Sequence, residues 1–253
     1  MRILITGSNG YIGKSLYNTL KDKYDITIIN RNICDLTNSS SVNSYFSNTW
    51  FDTIIHCAIS GGHRNKTDGI DVIDNNLRMY YNLIQNKSSY SKFINIASGA
   101  EIISPESPYG LSKRIISKSI LDKDDFFNLK IFAVFDENEL ETRFIKANIK
   151  RYINNQPMQI HFDKYMDFIY MPDLIKIVEY YLENINLPKQ TDCTYNTVYK
   201  LTEIADIINE LGDYRVEIKV DGIDESYTGR GNSLPINYIG LKQGIKEVYN
   251  KLK

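Results

Sequence analysis

The sequence predicts an α/β protein in which a doubly wound parallel sheet is accompanied by a small α+β C-terminal lobe. Three observations lead to this fold class. Short isoleucine-rich runs alternate with amphipathic stretches in the first half of the chain, which is typical of a parallel sheet covered by helices on both faces. The first run ends in glycines spaced three residues apart. Beyond residue 135 the alternation becomes irregular, which indicates a second lobe.

The period of the apolar residues assigns the individual elements. Strands are predicted at 2–6, 26–30, 53–57, 93–97, 129–135 and 216–220. Helices are predicted at 11–20, 70–86, 108–121, 144–154, 172–183, 201–211 and 241–251. Thr202 is the predicted N-cap of its helix. We expect a first domain of residues 1–135 plus 167–182, and a second domain of residues 136–166 plus 183–253.

The composition excludes several classes of protein. The 253 residues include 30 Lys and Arg against 31 Asp and Glu, for a formal net charge of −1. This balance argues against a partner that is a nucleic acid or a membrane surface, because phosphate binding requires a basic excess. No stretch approaches the roughly 20 apolar residues of a membrane span. The three cysteines are widely spaced without metal-ligand motifs, so we expect no metal site and a cytoplasmic location.

Three glycines follow the first predicted strand, Gly7, Gly10 and Gly13. In a strand–loop–helix unit the first makes a tight turn, the second lets the backbone approach a pyrophosphate, and the third lets the helix pack on the strand. The helix N-terminus then attracts the anion. The alternative is a turn that uses glycine for its geometry alone. The pattern favours a Rossmann-type NAD(P)-binding domain. The residues expected at the pyrophosphate are Gly7, Asn9, Gly10, Tyr11, Ile12 and Gly13.

The end of the second predicted strand bears on the choice between NADP(H) and NAD(H). An NAD site usually carries Asp or Glu there to accept from the ribose 2′-OH, whereas this chain has Asn30 and Arg31. Because an arginine can clamp a 2′-phosphate through several donors, NADP(H) is favoured, and NAD(H) is the alternative cofactor. The less favoured alternative is that Arg31 is only a solvated side chain. Asp35, followed by Leu36, is expected either to accept from the adenine amino group or to cap the next segment.

One tyrosine and one lysine are spaced for proton transfer. Tyr109 and Lys113 lie on one face of a predicted helix, for which Ser107 and Pro108 suit the N-cap and the first turn. A nearby ammonium lowers the pKa of a phenol from about 10, as acid–base catalysis near neutral pH requires. The chain has 19 tyrosines, but among those with a lysine four residues later we single out Tyr109, because it follows a strand that ends in Ser98. The same spacing recurs, as solvent-facing pairs, at Tyr17/Lys21, Tyr238/Lys242 and Tyr249/Lys253.

The glycine loop, Ser98 and the Tyr109/Lys113 pair, in this order, resemble the extended short-chain dehydrogenase/reductase family, which includes nucleotide-sugar epimerases, dehydratases and ketoreductases. The similarity extends to residues 56–58, Asn76, residues 166–173 and residues 227–230. It therefore spans most of the chain, and it implies a nucleotide-sugar substrate and a homodimer.

The resemblance implies roles for particular side chains. Tyr109 is the acid/base at the sugar oxygen, Lys113 holds the nicotinamide ribose and tunes Tyr109, and Ser98 hydrogen-bonds the reacting oxygen. Seen without the pair, Ser98 could be a strand-end hydroxyl that caps local backbone. The further cofactor-binding residues that the resemblance implies are Cys57, Ala58, Tyr109 and Lys113. The implied substrate-binding residues are Ser98, Gly99 and Arg230.

Departures from the family pattern indicate the reaction. Dehydratases follow the catalytic hydroxyl with an Asp–Glu pair, whereas Ser98 is followed by Gly99 and Ala100. Glu101 comes one residue late and, in extended geometry, would face away. Epimerase/reductases use a Cys and a His where this chain has Ala100 and Asn138. These departures leave redox chemistry alone.

The sequence thus predicts an NADPH-dependent reductase of a nucleotide-linked 4-keto-6-deoxy sugar. A 4-epimerase that retains NAD is the alternative within the family. A catalytically silent NADPH-binding regulator is the alternative outside enzymes.

Overall fold

The computed structural model describes residues 1–63 and 66–253. Two compact units divide the chain. The first unit comprises Met1–Lys130 and Tyr181–Thr191, and the second comprises Ile131–Tyr180 and Asp192–Lys253.

The first unit alternates strands and helices, as the sequence predicts. Its strands are β1 (Arg2–Thr6), β2 (Asp25–Ile29), β3 (Phe51–His56), β4 (Tyr90–Ser98) and β5 (Phe126–Ile131). Its helices are α1 (Tyr11–Leu20), α2 (Ser39–Phe46), α3 (Asp71–Gln85), α4 (Ala100–Ile103) and α5 (Pro108–Ile120). With β10 (Gln190–Asp192) the strands form a six-stranded sheet in the order β10-β5-β4-β3-β1-β2. The pairs β1–β2, β1–β3 and β3–β4 are parallel.

Burial explains why the central strands are continuous apolar runs. Consecutive side chains of a strand point to opposite faces of the sheet. Ile3, Leu4 and Ile5 are all fully buried, as are Ile54 and Ile55. Both faces of the sheet are therefore covered, as in doubly wound α/β proteins. The predicted fold class, a Rossmann-type parallel sheet, is confirmed.

The second unit consists of helices and short strand pairs. Its helices are α6 (Phe144–Ile153), α7 (Met171–Glu183), α8 (Leu201–Asn209) and α9 (Leu241–Leu252). The last three residues of α7, 181–183, are counted in the first unit. Its strands are β6 (Val134–Phe135), β7 (Met158–Ile160), β8 (Tyr165–Met166), β9 (Ile169–Tyr170), β11 (Tyr199–Lys200) and β12 (Ile218–Val220). They pair as β6–β9, β8–β11 and β7–β12. A core cluster that includes Phe135, Ile145, Tyr152 and Ile204 holds these elements together.

Several local predictions need correction. The single strand predicted at 129–135 is two strands, because β5 begins at Phe126 and β6 pairs with β9. Helices α2 and α4 were not predicted. Thr202 is not the N-cap of α8. Lys200 occupies that position, while the backbone N–H and the hydroxyl of Thr202 both donate to the Asp163 carboxylate at 3.1 Å.

The compact units also have different bounds from the predicted domains. The segment that returns to the first unit is Tyr181–Thr191, which shares two residues with the predicted 167–182. The physical reason is the strand pairing, because β9 pairs with β6 whereas β10 lies next to β5 at the sheet edge. Across residues 1–63 and 66–253, no helix has the length and apolar character needed to cross a membrane.

Candidate active site

The turn between β1 and α1 requires glycine at two positions. Gly7 has a φ of +68°, and a Cβ there would lie 2.6 Å from the Ala58 backbone nitrogen. A Cβ on Gly13 would lie 2.5 Å from the carbonyl oxygen of Gly7, so glycine lets α1 pack closely against the end of β1. The Gly10 N–H donates to the Gly7 carbonyl at 3.0 Å. Gly7 therefore makes a tight turn, and Gly13 allows close packing of the helix on the strand.

The same loop suits an anion. Gly10 is the N-cap residue of α1, and no side-chain oxygen binds the N–H groups of the first turn. The positive end of the helix dipole also faces the loop. Asn9 and Gly10 are exposed, and Tyr11 and Ile12 are half-buried. A side chain at residue 10 would crowd this loop, because a Cβ on Gly10 would lie 3.2 Å from the Gly7 oxygen. These residues fit the pyrophosphate of a dinucleotide.

The end of β2 forms two consecutive side-chain turns. The Asn30 side-chain oxygen accepts from the N–H groups of residues 32 and 33, and Arg31 is exposed. Asp35 accepts from the backbone N–H and the hydroxyl of Thr37, and these bonds hold the pKa of Asp35 below its ordinary value. Asn38 is the N-cap of α2, so Asp35 caps the turn before this helix and not the helix itself. The adenine contact of Asp35 and of the buried Leu36 stays a prediction.

A buried histidine, which the sequence analysis did not single out as functional, supports the glycine loop. The Thr6 hydroxyl lies 2.9 Å from His56 Nδ1 and accepts from the Ala58 N–H at 3.2 Å. Burial, together with the charge of Lys113, lowers the pKa of His56 to about 3, so the ring is neutral. Burial raises the pKa of Cys57 to about 12, so its side chain is a thiol at neutral pH. This segment therefore shapes the site and carries no charge.

Helix α5 presents the tyrosine and lysine as predicted. Ser107 caps the helix by accepting from the Gly110 N–H at 3.0 Å, and Pro108 occupies the first turn. The Lys113 ammonium lies 5.8 Å from the centroid of the Tyr109 ring and donates to the Ile96 carbonyl at 2.8 Å. Burial lowers the pKa of Lys113 to about 8, although Cys57 and Glu101 act in the opposite direction. At pH 7 the lysine is mostly protonated, which favours a phenolate beside it.

The loop after β3 is joined to α5 by Asn76 of α3 and also contacts the Tyr109 ring. Asn76 Nδ2 donates to the Ser112 hydroxyl at 2.9 Å, while its Oδ1 accepts from the Ser60 N–H at 2.7 Å. Gly62 has a φ of +74°, and a Cβ there would lie 3.0 Å from Cζ of Tyr109. The backbone at this glycine thus packs on the tyrosine ring. The signal that could have revealed this contact is the Gly61–Gly62 pair.

Ser98 lies at the end of β4, where its hydroxyl oxygen accepts from the Ala100 N–H at 3.2 Å. This is the local backbone cap considered above as the alternative role. The cap uses a lone pair of the oxygen and does not consume the hydroxyl proton, so the cap is compatible with a bond to a substrate oxygen. Gly99 follows and is the N-cap of α4. Because residues 100–103 are helical, the extended geometry expected for Glu101 is wrong.

In the second unit, two carboxylates hold the segment that contains Arg230. Asp167 accepts from the Gly229 N–H at 2.7 Å, and Asp192 accepts from the Arg230 N–H at 2.9 Å. Burial, and to a lesser degree Asp192, raises the pKa of Asp167 to about 6. The Arg230 side chain is exposed. Its contact with a nucleotide diphosphate stays a prediction.

The parallel sheet and the glycine loop define a Rossmann-type protein, and Ser98, Tyr109 and Lys113 resemble the catalytic set of short-chain dehydrogenase/reductases. A model of the NAD dependent epimerase/dehydratase family matches residues 3–196, and the chain belongs to this family. The resemblance found in the sequence is confirmed.

Similar proteins include both reductases and epimerases. The chain is 25% identical over 247 residues to CDP-abequose synthase from Yersinia pseudotuberculosis, which covers 86% of this chain and 87% of the relative. It matches GDP-mannoheptose C4 reductase from Campylobacter jejuni, solved with NADP bound, with a TM-score of 0.82 at 18% identity over 99% and 98% of the two chains. It also matches UDP-glucose 4-epimerase from Thermus thermophilus, solved with NAD, with a TM-score of 0.74 at 15% identity over 99% and 98%. Of these three, the two solved structures hold NADP and NAD, respectively.

Proposed function

We propose that the protein is an NADPH-dependent reductase of a nucleotide-linked 4-keto-6-deoxy sugar. The observation that carries this proposal is the buried Lys113 ammonium beside the Tyr109 ring, in the same compact unit as the glycine loop. A phenol held next to a desolvated cation is suited to give its proton to a carbonyl oxygen.

In this mechanism the side chains handle the proton and the orientation of the substrate. The nicotinamide, when bound, supplies the hydride that reaches C4. Tyr109 donates its phenolic proton to the ketone oxygen, so the carbonyl becomes a hydroxyl. Lys113 stabilises the resulting phenolate, which regains a proton from water. The Ser98 hydroxyl donates to the same ketone oxygen and fixes its position.

The neighbouring residues favour simple reduction over dehydration or 3,5-epimerisation. Glu101 is the nearest carboxylate in sequence after Ser98, but it is held by Lys130 at 2.9 Å and by the Ser117 hydroxyl. The amide of Asn138 cannot exchange a proton in catalysis, and its backbone N–H donates to Asp136 at 2.7 Å. Neither position offers a mobile proton.

Two observations support NADPH as the reductant. The Asn30 side-chain oxygen is occupied by a turn and carries no charge that would repel a 2′-phosphate. Arg31 is exposed next to it, with its charge available for such a phosphate. The similarity in fold to a C4 reductase solved with NADP is in line with this choice.

The test is oxidation of NADPH by the purified protein with CDP-, GDP-, dTDP- and UDP-linked 4-keto-6-deoxy sugars. We expect loss of the reduced-nicotinamide absorbance with at least one of them, faster with NADPH than with NADH. Tight NADPH binding without oxidation of any substrate would indicate the silent regulator instead. Interconversion of two 4-epimers without net NADPH consumption would indicate a 4-epimerase, a reaction for which the similarity to UDP-glucose 4-epimerase is the supporting observation.

A further inference from the structure

A buried ion pair lies in the first unit and takes no part in the proposed reaction. Lys130 Nζ is 2.9 Å from Glu101 Oε1, and the two side chains are 7% and 6% exposed. Burying two charges costs free energy unless the pair is well placed and its remaining hydrogen-bonding groups have partners. The buried ion pair of Glu101, in the single-turn helix α4, therefore indicates a structural or functional role.

The pair belongs to a chain of buried hydrogen bonds that crosses four elements. The Ser117 hydroxyl of α5 donates to Glu101 Oε2 of α4. Asn128 Nδ2 of β5 donates to the Ser117 oxygen at 2.7 Å, and Asn95 Nδ2 of β4 donates to Asn128 Oδ1 at 2.6 Å. Glu101 thus connects α4 to the helix that carries Tyr109 and Lys113, and to the strand that ends in Ser98.

Helix α4 lies between Ser98 and Tyr109 in the chain, so its anchoring affects both residues. Four of the ten residues that link Ser98 to Tyr109 form the helix at 100–103, and a helix of one turn has no stability of its own. At its C-terminal end the Ser107 hydroxyl donates to the Ser104 carbonyl at 2.7 Å. A Cβ on Gly110 would lie 2.0 Å from that carbonyl, so glycine permits the close approach of α5. Glu101 and Gly110 therefore hold the link against α5 at two points.

We propose that Glu101 is a positioning residue, whose buried carboxylate, held by Lys130 and Ser117, anchors α4 to α5 and thereby fixes Ser98 relative to Tyr109 and Lys113. The effect on turnover rests on the proposed function. The effect on the electrostatics of Lys113 does not, because it can be measured in the protein alone.

The charged and titratable groups around Lys113 make the electrostatic effect specific. His56 and Cys57, at the end of β3, are neutral near pH 7. Of the two groups that raise the pKa of Lys113 in the described part of the chain, Cys57 and Glu101, the Glu101 carboxylate is therefore the one that acts as an anion, and the Lys130 ammonium is its ion-pair partner. The Glu101 carboxylate keeps the pKa of Lys113 from falling further below about 8.

The deciding experiment is a pH titration of Lys113 by NMR in protein labelled with ¹³C-lysine, with the signal assigned from Lys113→Met. Glu101→Gln keeps an oxygen that can accept from Ser117 but removes the charge. We expect it to lower the pKa of Lys113. Glu183→Gln is the matched control, because Glu183 pairs with Lys23 and Tyr24, and it should leave the titration unchanged.

Should Glu101→Gln not fold after loss of the ion pair with Lys130, the double variant Glu101→Gln/Lys130→Met is compared with Lys130→Met, so that the difference between the two again isolates the Glu101 charge. An unchanged pKa of Lys113 in the folded Glu101 variant, relative to its reference protein, would overturn the proposal. In the reductase assay we expect kcat to fall about tenfold with little change in KM for NADPH, because misplaced groups reduce turnover more than cofactor affinity. A reduced thermal stability with unaltered pKa and kcat would indicate a merely structural ion pair. If no substrate is found, the titration still decides the proposal.

Discussion

Different interactions fix the positions of the loops in the two units. In the first unit, the buried central strands of a six-stranded sheet dictate the positions of the loops that follow them. In the second unit, short strand pairs leave long irregular segments, and buried carboxylates hold these in place. Asp173, fully buried, accepts from the N–H groups of Ile239 and Gly240 at 2.8 and 2.9 Å and from the Tyr195 hydroxyl at 2.7 Å.

This difference indicates what each unit tolerates. Apolar packing of the central strands depends on side-chain volume and on no particular acceptor atom, so conservative changes of surface acidic residues should disturb it little. Bonds from carboxylates to backbone N–H groups depend on a particular acceptor at a particular place. The second unit should therefore be the more sensitive to conservative changes of single acidic residues.

The largest expected effect separates activity from stability in the first unit. Tyr109→Phe removes the hydroxyl that the proposed mechanism uses, and we expect kcat for ketone reduction to fall by about 10²–10⁴-fold. The melting temperature should stay within the error of measurement. Tyr17→Phe, which alters a tyrosine with the same spacing to a lysine, is the control and should keep full activity. Equal activity in Tyr109→Phe and wild type would contradict the mechanism.

The next effect compares a glycine in each unit. Gly7→Ala combines a positive φ with a Cβ 2.6 Å from the Ala58 nitrogen, and we expect a loss of about 3 kcal/mol or more in the free energy of unfolding. Gly240→Ala has a φ of +87° with nothing within 4 Å of the Cβ, so it should cost about 1 kcal/mol from strain alone. Chemical denaturation measures both. NADPH affinity should fall in Gly7→Ala, and equal stabilities of the two variants would remove the steric argument.

A smaller effect tests the acidic anchors of the second unit. Asp173→Asn keeps one side-chain oxygen but replaces the other with a donor, which cannot accept from Gly240 and the Tyr195 hydroxyl. We expect a loss of about 2 kcal/mol in the free energy of unfolding. Asp221→Asn, which removes a solvent-exposed partner of His161, is the control and should unfold like wild type. A variant at 173 as stable as this control would show that the anchors contribute little.

The final comparison is a pH dependence of opposite sign in the two units. His56 titrates at about 3 when folded against 6.5 when unfolded, so its contribution to stability is lost as the pH falls from 6.5 to 3. Glu139, in the second unit, titrates at about 8 because of burial, against 4.5 when unfolded. Its contribution is lost as the pH rises from 4.5 to 8.

Unfolding measured across this range should therefore respond differently to two variants. His56→Asn is expected to weaken the loss of stability on the acid side, and Glu139→Gln to weaken it on the alkaline side. Glu139→Gln keeps the oxygen that accepts from the Lys146 N–H at 3.2 Å. Identical pH profiles for wild type and both variants would rule out this assignment.

The contrast between the units also determines how far the sequence could be interpreted. The glycine loop and the Tyr109/Lys113 pair were predictable because their geometry depends on neighbours within a few residues. The anchors were not, since Asp173 and Gly240 are 67 residues apart. Helix α4 was missed because one turn is too short to show an apolar period, and Glu101 received an extended geometry for the same reason.

The state of Cys57 has a practical consequence. The thiolate is the reactive form of cysteine, and a pKa near 12 keeps Cys57 protonated at neutral pH. Cys34 and Cys193 are buried, and burial also raises the pKa of Cys34. The native cysteines should therefore react slowly with maleimides, and one cysteine introduced on the surface can carry a fluorophore or spin label without first replacing the others.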